Sequence, residues 1–505
     1  MSECCSSSAQ LVPIMQTGCG CGVTQLLPLD DNRRLPVAII GGGPVGLAAA
    51  AHLVSKGESF VLFEAASEVA GNIQSWSHVR LFSPWKYNID KAAKELLEVH
   101  GWKAPSDDEH PTGGELVEKY LDPLSKLSSI KPNIHYNAKV VAISRKGLSK
   151  VKTYGREKLP FVLRVKKDDK QIAFEAKAVI DASGTWSNPN PSNSEGVWTE
   201  EERLVNSQIF YGIPDVLDKD RVRYSRKKVL VVGSGHSAVN ALLDLERLQH
   251  EEPETNIIWV IRKSNVKEVY GGQENDGLRE RGVLGVRLQK LVEAGKLRVY
   301  TSFNIVSFNK DADKIIVTGR SNDQTIRIEG IDEIITSTGS RPDINFLREV
   351  RIDLDPALES VDALAQLIDP NIHSCGTVRP HGERELRQPE QNFYIVGSKS
   401  YGRAPTFLLA TGYEQVRSVV AALTGDFEEA EKVELELPET GVCSISSSSS
   451  SVAAESCCGG SVPVDVDACC AADANAKTSG NYGCGCGTAL AETAKSISKN
   501  SSCCG

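Results

Sequence analysis

The chain has 505 residues, 40% of them hydrophobic, enough for roughly two to four domains with sizeable cores. Its formal net charge of -9, from 57 Lys and Arg against 66 Asp and Glu, argues against a nucleic-acid surface, which needs a concentrated basic patch. No segment reaches the roughly 18 consecutive apolar residues of a membrane span, and MSECCSSSAQ shows no basic stretch followed by an apolar one, so the expected compartment is the reducing cytosol.

Residues 1–34 are rich in Ser, Cys and Gly without a period. From Leu35 the pattern changes. Pro36–Ile40 is an apolar run ending in Gly41-Gly42-Gly43, Leu47–Val54 reads as an Ala-rich helix, and Ser59–Phe63 as a second strand. Strand, glycine turn, helix and strand make a βαβ unit. Residues 75–130 read as helices and loops, with Trp76, Phe82, Trp85, Tyr87 and Trp102 supplying bulk. Strands are expected at Lys139–Ile143, Phe161–Val165 and Ala176–Ile180, followed by a Pro/Asn/Ser-rich hinge at Asn188–Ser194. A second βαβ unit opens at Lys228–Val232, with its helix near Ser237–Leu248 and its second strand at Asn256–Ile261. Further strands are expected at Leu297–Tyr300, Lys314–Thr318, Thr325–Ile328, Glu333–Ser337 and Asn392–Val396, the last leading through Gly397 to a helix over Leu408–Leu423. After Pro438 the chain turns into Ser, Ala, Gly and Cys of low complexity. Such a composition cannot bury enough apolar surface to offset its ordering entropy, so both tails are expected to be disordered without a ligand.

The first glycine turn, VAIIGGGPVGLAAA, sets Gly41, Gly43 and Gly46 at the G-x-G-x-x-G spacing. Gly41 permits a tight turn, Gly43 lets the backbone approach a pyrophosphate, and Gly46 allows helix and sheet to pack closely, so that the helix N-terminus faces the phosphates. Glu64 ends the next strand, where an acid accepts hydrogen bonds from an adenosine ribose. The spacing alone is a weak signal. The strand before it, the Ala-rich helix after it and the terminal acid agree with one another. The second turn, VLVVGSGHSAVNA, carries Gly233, Gly235, Ser237 and Ala238, and its strand ends in WVIRKS. Arg262 and Lys263 are thus expected where Glu64 stands in the first unit. Cations at that place pair with a 2′-phosphate and select NADPH over NADH; the alternative is two basic residues merely exposed at a strand end. Two sites of opposite charge preference imply one FAD and one exchangeable NADPH. Two shorter turns, Asp181–Ser187 with Gly184 and Thr336–Asp343 with Gly339, let the chain pass close to the nucleotides and cross between domains.

These residues resemble the flavoproteins with two dinucleotide-binding domains, and are most similar to the flavin-containing monooxygenases and their bacterial relatives, over roughly residues 35–430. HVRLFSPWKYNID resembles the segment such proteins set against the isoalloxazine. NFYIVGSKSYGR is similar to their late strand-plus-Gly motif for the FAD ribityl and pyrophosphate, with Ser398 after Gly397 in place of the usual Asp. IFYGIPDVLD stands where a linker signature with Phe, Gly and His is expected. The resemblance implies an α/β fold of two Rossmann-like dinucleotide-binding domains. The FAD domain is discontinuous, 35–195 and 345–435, with the NADPH domain, 196–344, inserted between them and Cys-rich tails over 1–34 and 436–505. Some relatives with cysteine-pair tails are encoded beside arsenic-resistance genes, so the resemblance also points towards metalloids.

In such enzymes the cofactor carries the hard chemistry and the protein orients and shields it. His236 and His78 are candidate acid/base groups, although a histidine in a fingerprint turn or loop is more often structural. Disulfide and mercuric reductases need a cysteine pair near the flavin, and the body of this chain holds only Cys375. The other cysteines lie in or beside the tails: Cys4, Cys5, Cys19 and Cys21, then Cys443, Cys457, Cys458, Cys469, Cys470, Cys484, Cys486, Cys503 and Cys504. Their spacing is not the C-x-x-C of a rigid zinc knuckle and suits a flexible trap for soft metal ions or arsenic(III). The expected activity is NADPH- and FAD-dependent oxidation of a small molecule, with monooxygenation leading. The alternative is a metal, metalloid or thiol reductase or carrier whose tail pairs, such as Cys503-Cys504, reach the flavin.

Overall fold

The computed structural model describes residues 35–276, 278–370, 381–405 and 407–435. The tail cysteines and Cys375 lie outside them.

The chain builds one module and then repeats it. β1 (Val37–Ile40), α1 (Pro44–Ser55), β2 (Phe60–Phe63), α2 (Lys91–Val99) and β3 (Ile134–His135) lead to a meander of β4 (Lys139–Arg145), β5 (Phe161–Lys167) and β6 (Lys170–Ala176), and the chain returns as β7 (Ala178–Asp181). After β8 (Ile209–Tyr211) the second module follows the same plan. β9 (Lys228–Val232), α3 (His236–Glu251), β10 (Asn256–Val260), α4 (Arg279–Glu293) and β11 (Arg298–Tyr300) precede a meander of β12 (Asn304–Asp311), β13 (Lys314–Ser321) and β14 (Gln324–Ile331), and β15 (Glu333–Thr336) returns. β16 (Phe393–Ile395) and α5 (Leu409–Leu423) follow, and a short helix over Phe427–Glu431 comes after them.

The first sheet has the order β16-β7-β1-β2-β3 and the second β11-β10-β9-β15-β8, with all neighbours parallel. The first sheet is therefore completed by a strand from beyond the second, as the discontinuous fold requires. Strands such as VAII and VLVV are apolar throughout because both faces of a parallel sheet are covered. Two cores flank the second sheet: one holds α3, Trp259 and Leu288, the other the inner side of its meander, including Phe303, Phe308 and Ile328. No helix among the described residues is long and apolar enough to cross a membrane.

β3, β6, β8, β12 and α4 are absent from the sequence expectation, and three of them have a plain physical reason. β6 exists because Asp168 and Asp169 both adopt positive φ (48° and 61°), which closes a two-residue hairpin after β5. β12 carries Ser, Asn, Lys and Asp, and its apolar side is legible only once Ile305 and Phe308 are seen packed under the sheet. α4 contains Gly282 and Gly285, which count against a helix. In the fold a Cβ at either would overlap the backbone carbonyl of Gln273 or Tyr270, so these glycines permit close approach of the preceding loop. The expected hinge at 188–194 is a bonded crossing: Asn190 N–H donates to Gly339 O at 3.0 Å and Thr338 Oγ1 to Asn190 O at 3.0 Å, and Asn190, Ser192 and Asn193 are buried.

Candidate functional site

At the C-terminal end of β1 the chain turns at Gly41, whose φ of +99° disfavours any residue with a side chain. A Cβ there would lie 2.7 Å from Ala182 O and 2.9 Å from Ser183 Cα, because the turn after β7 packs directly on it. At Gly46 a Cβ would overlap Gly41 O. Gly43 is different. Its backbone is ordinary and extended (φ -79°, ψ -174°), and a Cβ on it would meet no protein atom within 4 Å. It caps α1 without a side chain, so the free N–H groups of the first helical turn face open space. That is the fit a pyrophosphate needs.

Around this opening the other expected FAD residues converge. Glu64, just after β2, accepts the Gly42 N–H at 2.7 Å through Oε2 and the Ala66 N–H at 2.8 Å through Oε1. Gly184 (φ +67°) faces Ser398, a Cβ there lying 3.5 Å from Ser398 Oγ. Gly397 presents its Cα side to Val45 in the first turn of α1, and its N–H donates to Gln415 Oε1 of α5 at 2.7 Å. Gln415 Nε2 in turn donates to Ser400 Oγ at 2.9 Å, so the late turn is stapled from α5. Nothing local in the sequence announced Gln415: its role depends on a helix that returns to the turn only in the fold.

The second opening repeats the first. Gly233 has φ +127°, and a Cβ there would overlap the Ser337 carbonyl oxygen after β15. Gly235, before α3, is extended (φ -85°, ψ 174°) and a Cβ on it meets nothing within 4 Å. Ser237 lies half-buried in the first turn of α3, Ala238 is fully buried, and Trp259 Nε1 donates to Gly233 O at 2.8 Å. Gly339 (φ +80°) sits on the crossing, a Cβ there lying 3.6 Å from Asn190 Nδ2.

The placing of the cations needs a correction. Ile40 pairs with Phe63 and Val232 with Val260, and the next N–H groups, of Gly41 and Gly233, donate to Phe63 O and Val260 O. The residue equivalent to Glu64 is therefore Ile261, which is buried, and Arg262 and Lys263 lie one and two residues further on. The sequence ran the strand one residue too long, to Ile261, and only the parallel register exposes the offset. The acid is thus replaced by an apolar residue with Arg262 exposed beyond it, while Lys263 Nζ donates to Glu268 O at 2.9 Å.

His236 is the first residue of α3, with its ring 5.1 Å from that of Phe82, so the segment resembling an isoalloxazine-facing loop touches the second fingerprint. Burial, and then the Arg281 cation, push the imidazole down to about 4, against the Asp276 charge. It is neutral near pH 7 and unable to act there as a proton-donating imidazolium. His78 buries Nε2 with no hydrogen-bond partner among the described residues. Neither is set up as an acid/base pair. No group of three or more His, Cys, Asp or Glu among the described residues could hold a metal ion.

Residues 38–362 match the pyridine nucleotide-disulphide oxidoreductase family. The chain belongs to that family. The cofactors expected of this oxidoreductase, FAD and NADPH, agree with the membership and with two openings of the same build. Ferredoxin–NADP reductase 2 of Exiguobacterium sibiricum is 21% identical over 358 residues, covering 70% of this chain and 84% of that protein. The FAD-bound cadaverine monooxygenase of desferrioxamine biosynthesis from Erwinia amylovora superposes with a TM-score of 0.57 at 13% identity, over 82% of this chain and 99% of that one. Bacillithiol disulfide reductase from Staphylococcus aureus gives a TM-score of 0.55 at 18% identity, over 77% of this chain and 98% of that one. These similarities show a common fold; a fold of this kind hosts several chemistries.

Proposed function

We propose that this protein is an NADPH-dependent FAD enzyme that oxidises a small molecule by monooxygenation. Bound FAD would supply the redox chemistry, taking a hydride from NADPH and passing electrons to a second acceptor. The residues of the chain bind, orient and shield. Gly43 and Gly235 let backbone N–H groups approach the two pyrophosphates, Glu64 takes the FAD adenosine ribose, and Arg262 pairs with the NADPH 2′-phosphate. We assign 35–195 and 345–435 to the FAD domain and 196–344 to the NADPH domain. The sheet order supports those limits, since β16 joins the first sheet and β8 the second.

The observation that carries the reading is the cysteine distribution. Between Cys21 and Cys443 the sequence holds one cysteine, Cys375, so the body has no pair to relay electrons from the flavin to a disulfide. Electrons then leave the flavin directly, which favours oxygen chemistry of the kind named for the cadaverine enzyme over that named for the bacillithiol disulfide reductase. The test is NADPH consumption in air by the full chain, with peroxide quantified, over a panel of primary amines beginning with cadaverine. A hydroxylated product matching NADPH consumption is expected. Oxidation that speeds up only with a disulfide or a ferredoxin would overturn it.

A second reading is favoured by the remaining thirteen cysteines, which are confined to or border the tails. They would bind soft ions such as arsenic(III), with the flavin as electron source for a reductase or the tails as a carrier. Replacing all tail cysteines by Ser in the full chain separates the two readings. Loss of arsenic(III) binding with NADPH oxidation intact assigns the tails to ion handling; loss of both makes them electron carriers.

A further inference from the structure

Asp181 is the last residue of β7, and Lys399 lies in the single 3-10 turn that begins at Gly397. Lys399 Nζ lies 2.7 Å from Asp181 Oδ2, 3.1 Å from Ser183 Oγ and 4.3 Å from the centroid of the Phe346 ring. Ser183 donates to Asp181 Oδ1 through its N–H at 3.1 Å and its hydroxyl at 2.6 Å, so the cluster is closed on itself. The side chains of Lys399 and Asp181 are 1% and 0% exposed. A buried ion pair adds little net stability, because desolvation offsets the attraction, but each partner is costly to leave alone. What such a pair does securely is fix the position of the segments that carry it.

Those segments are the walls of the first opening. The turn after Asp181 is the surface on which Gly41 packs, through Ala182 O and Ser183 Cα. The turn before Lys399 rests on Val45 at the start of α1, and its Ser398 faces Gly184. Val396 N–H also donates to Asp181 O at 3.0 Å. The turns that follow β7 and β16 thus meet at one buried cation under the Phe346 ring, and the turn between β1 and α1 packs on both of them. Ser398 has a neutral hydroxyl, so the only charge on this late turn is that of Lys399, and it points into the protein.

We propose that Lys399 is a positioning residue for the flavin. Its ion pair with Asp181 clamps the Ala182–Gly184 turn to the Gly397–Ser398 turn and so sets the width of the opening that takes the FAD pyrophosphate and ribityl chain. The inference rests on the reading of this opening as the FAD site.

The experiment uses the full-length apoprotein, with FAD affinity measured by fluorescence titration and melting temperature by calorimetry. Lys399→Met leaves Asp181 buried and unpaired, and both affinity and melting temperature should fall. The double variant Asp181→Asn, Lys399→Met removes both charges and should recover the melting temperature to within about 5 °C of wild type. Its FAD dissociation constant should stay raised by about tenfold or more, because the clamp is still missing. A purely structural pair would recover both together, and that result overturns the proposal, as does a Lys399→Met protein that binds FAD like wild type. A double variant that fails to fold also overturns it, since the pair is then a stability element. Gly43→Ala is the control on the site itself. If it leaves FAD binding unchanged the whole opening is misread; if it abolishes binding while the double variant binds normally, only the role of Lys399 falls.

Discussion

Glu64 is tied to the fingerprint it serves: its Oε2 accepts the Gly42 N–H at 2.7 Å while Oε1 accepts the N–H of Ala66. Both oxygens are thereby held beside the glycine turn, and each retains a lone pair for a ligand. Glu64→Gln keeps the shape but turns one acceptor into an N–H facing an N–H. A charge-assisted hydrogen bond contributes about 1.5–3 kcal/mol, so the FAD dissociation constant should rise about tenfold or more. Equilibrium dialysis against FAD measures it, and unchanged affinity would mean that the carboxylate serves only the backbone.

Gly43 and Gly235 should separate the two cofactors. A methyl group at either position meets no protein atom within 4 Å and the backbone there is extended, so Ala costs the apoprotein almost nothing. Each methyl would occupy the space of a pyrophosphate. Gly43→Ala should yield a folded, colourless protein. Gly235→Ala should yield a yellow protein whose flavin NADPH no longer bleaches under anaerobic conditions. Absorbance at the flavin band and the apoprotein melting temperature together check both outcomes.

Arg262 should matter more than Lys263 for choosing between nucleotides. Lys263 already donates to Glu268 O, whereas Arg262 is exposed and no carboxylate pairs with it among the described residues. Arg262→Ala should raise the Michaelis constant for NADPH about tenfold while that for NADH changes little, and Lys263→Ala should do less. Steady-state kinetics with both nucleotides decides. An equal rise for both would move the cation away from the 2′-phosphate.

Both fingerprints were legible because their requirements are local. A tight turn, an open N-terminus and close helix packing each demand glycine at a fixed spacing, and the strands before them are apolar without a break. What was not legible is long-range or depends on register. The equivalence of Ile261, rather than Arg262, to Glu64 follows only from the pairing of Val232 with Val260. Gln415, Trp259 and Lys399 reach their turns from other elements, and nothing in their neighbours announces it. α4 was hidden because Gly282 and Gly285, a penalty in a lone helix, are what lets it pack on the Tyr270–Gln273 loop.

Glu390 shows how the late segment is anchored, and it predicts how the protein fails in acid. Its buried carboxylate accepts from Arg145 Nε at 2.8 Å, from Arg156 Nη2 at 2.7 Å and from the Arg351 N–H at 3.2 Å, while Arg145 also holds Gln391 O. Two cations from the region of the first meander thereby fix the start of β16, and with it the turn at Gly397. Burial pushes this carboxyl up, but the hydrogen bonds from Arg156 and Arg145 outweigh it and hold it below the ordinary value. A carboxyl lowered in the folded state contributes stability that is present above its unfolded pKa, about 4.3, and is lost as pH falls through the folded value. Glu390→Gln leaves two buried guanidinium groups short of a counter-charge and should cost about 3–5 kcal/mol at pH 7. The difference from wild type should begin to narrow below the unfolded value of about 4.3 and close only as pH falls through the lowered folded value, where the wild-type carboxyl is itself protonated. Denaturant melts of both proteins between neutral and acid pH measure the gap. A gap that stays constant with pH would mean that Glu390 holds the segment by shape rather than by charge.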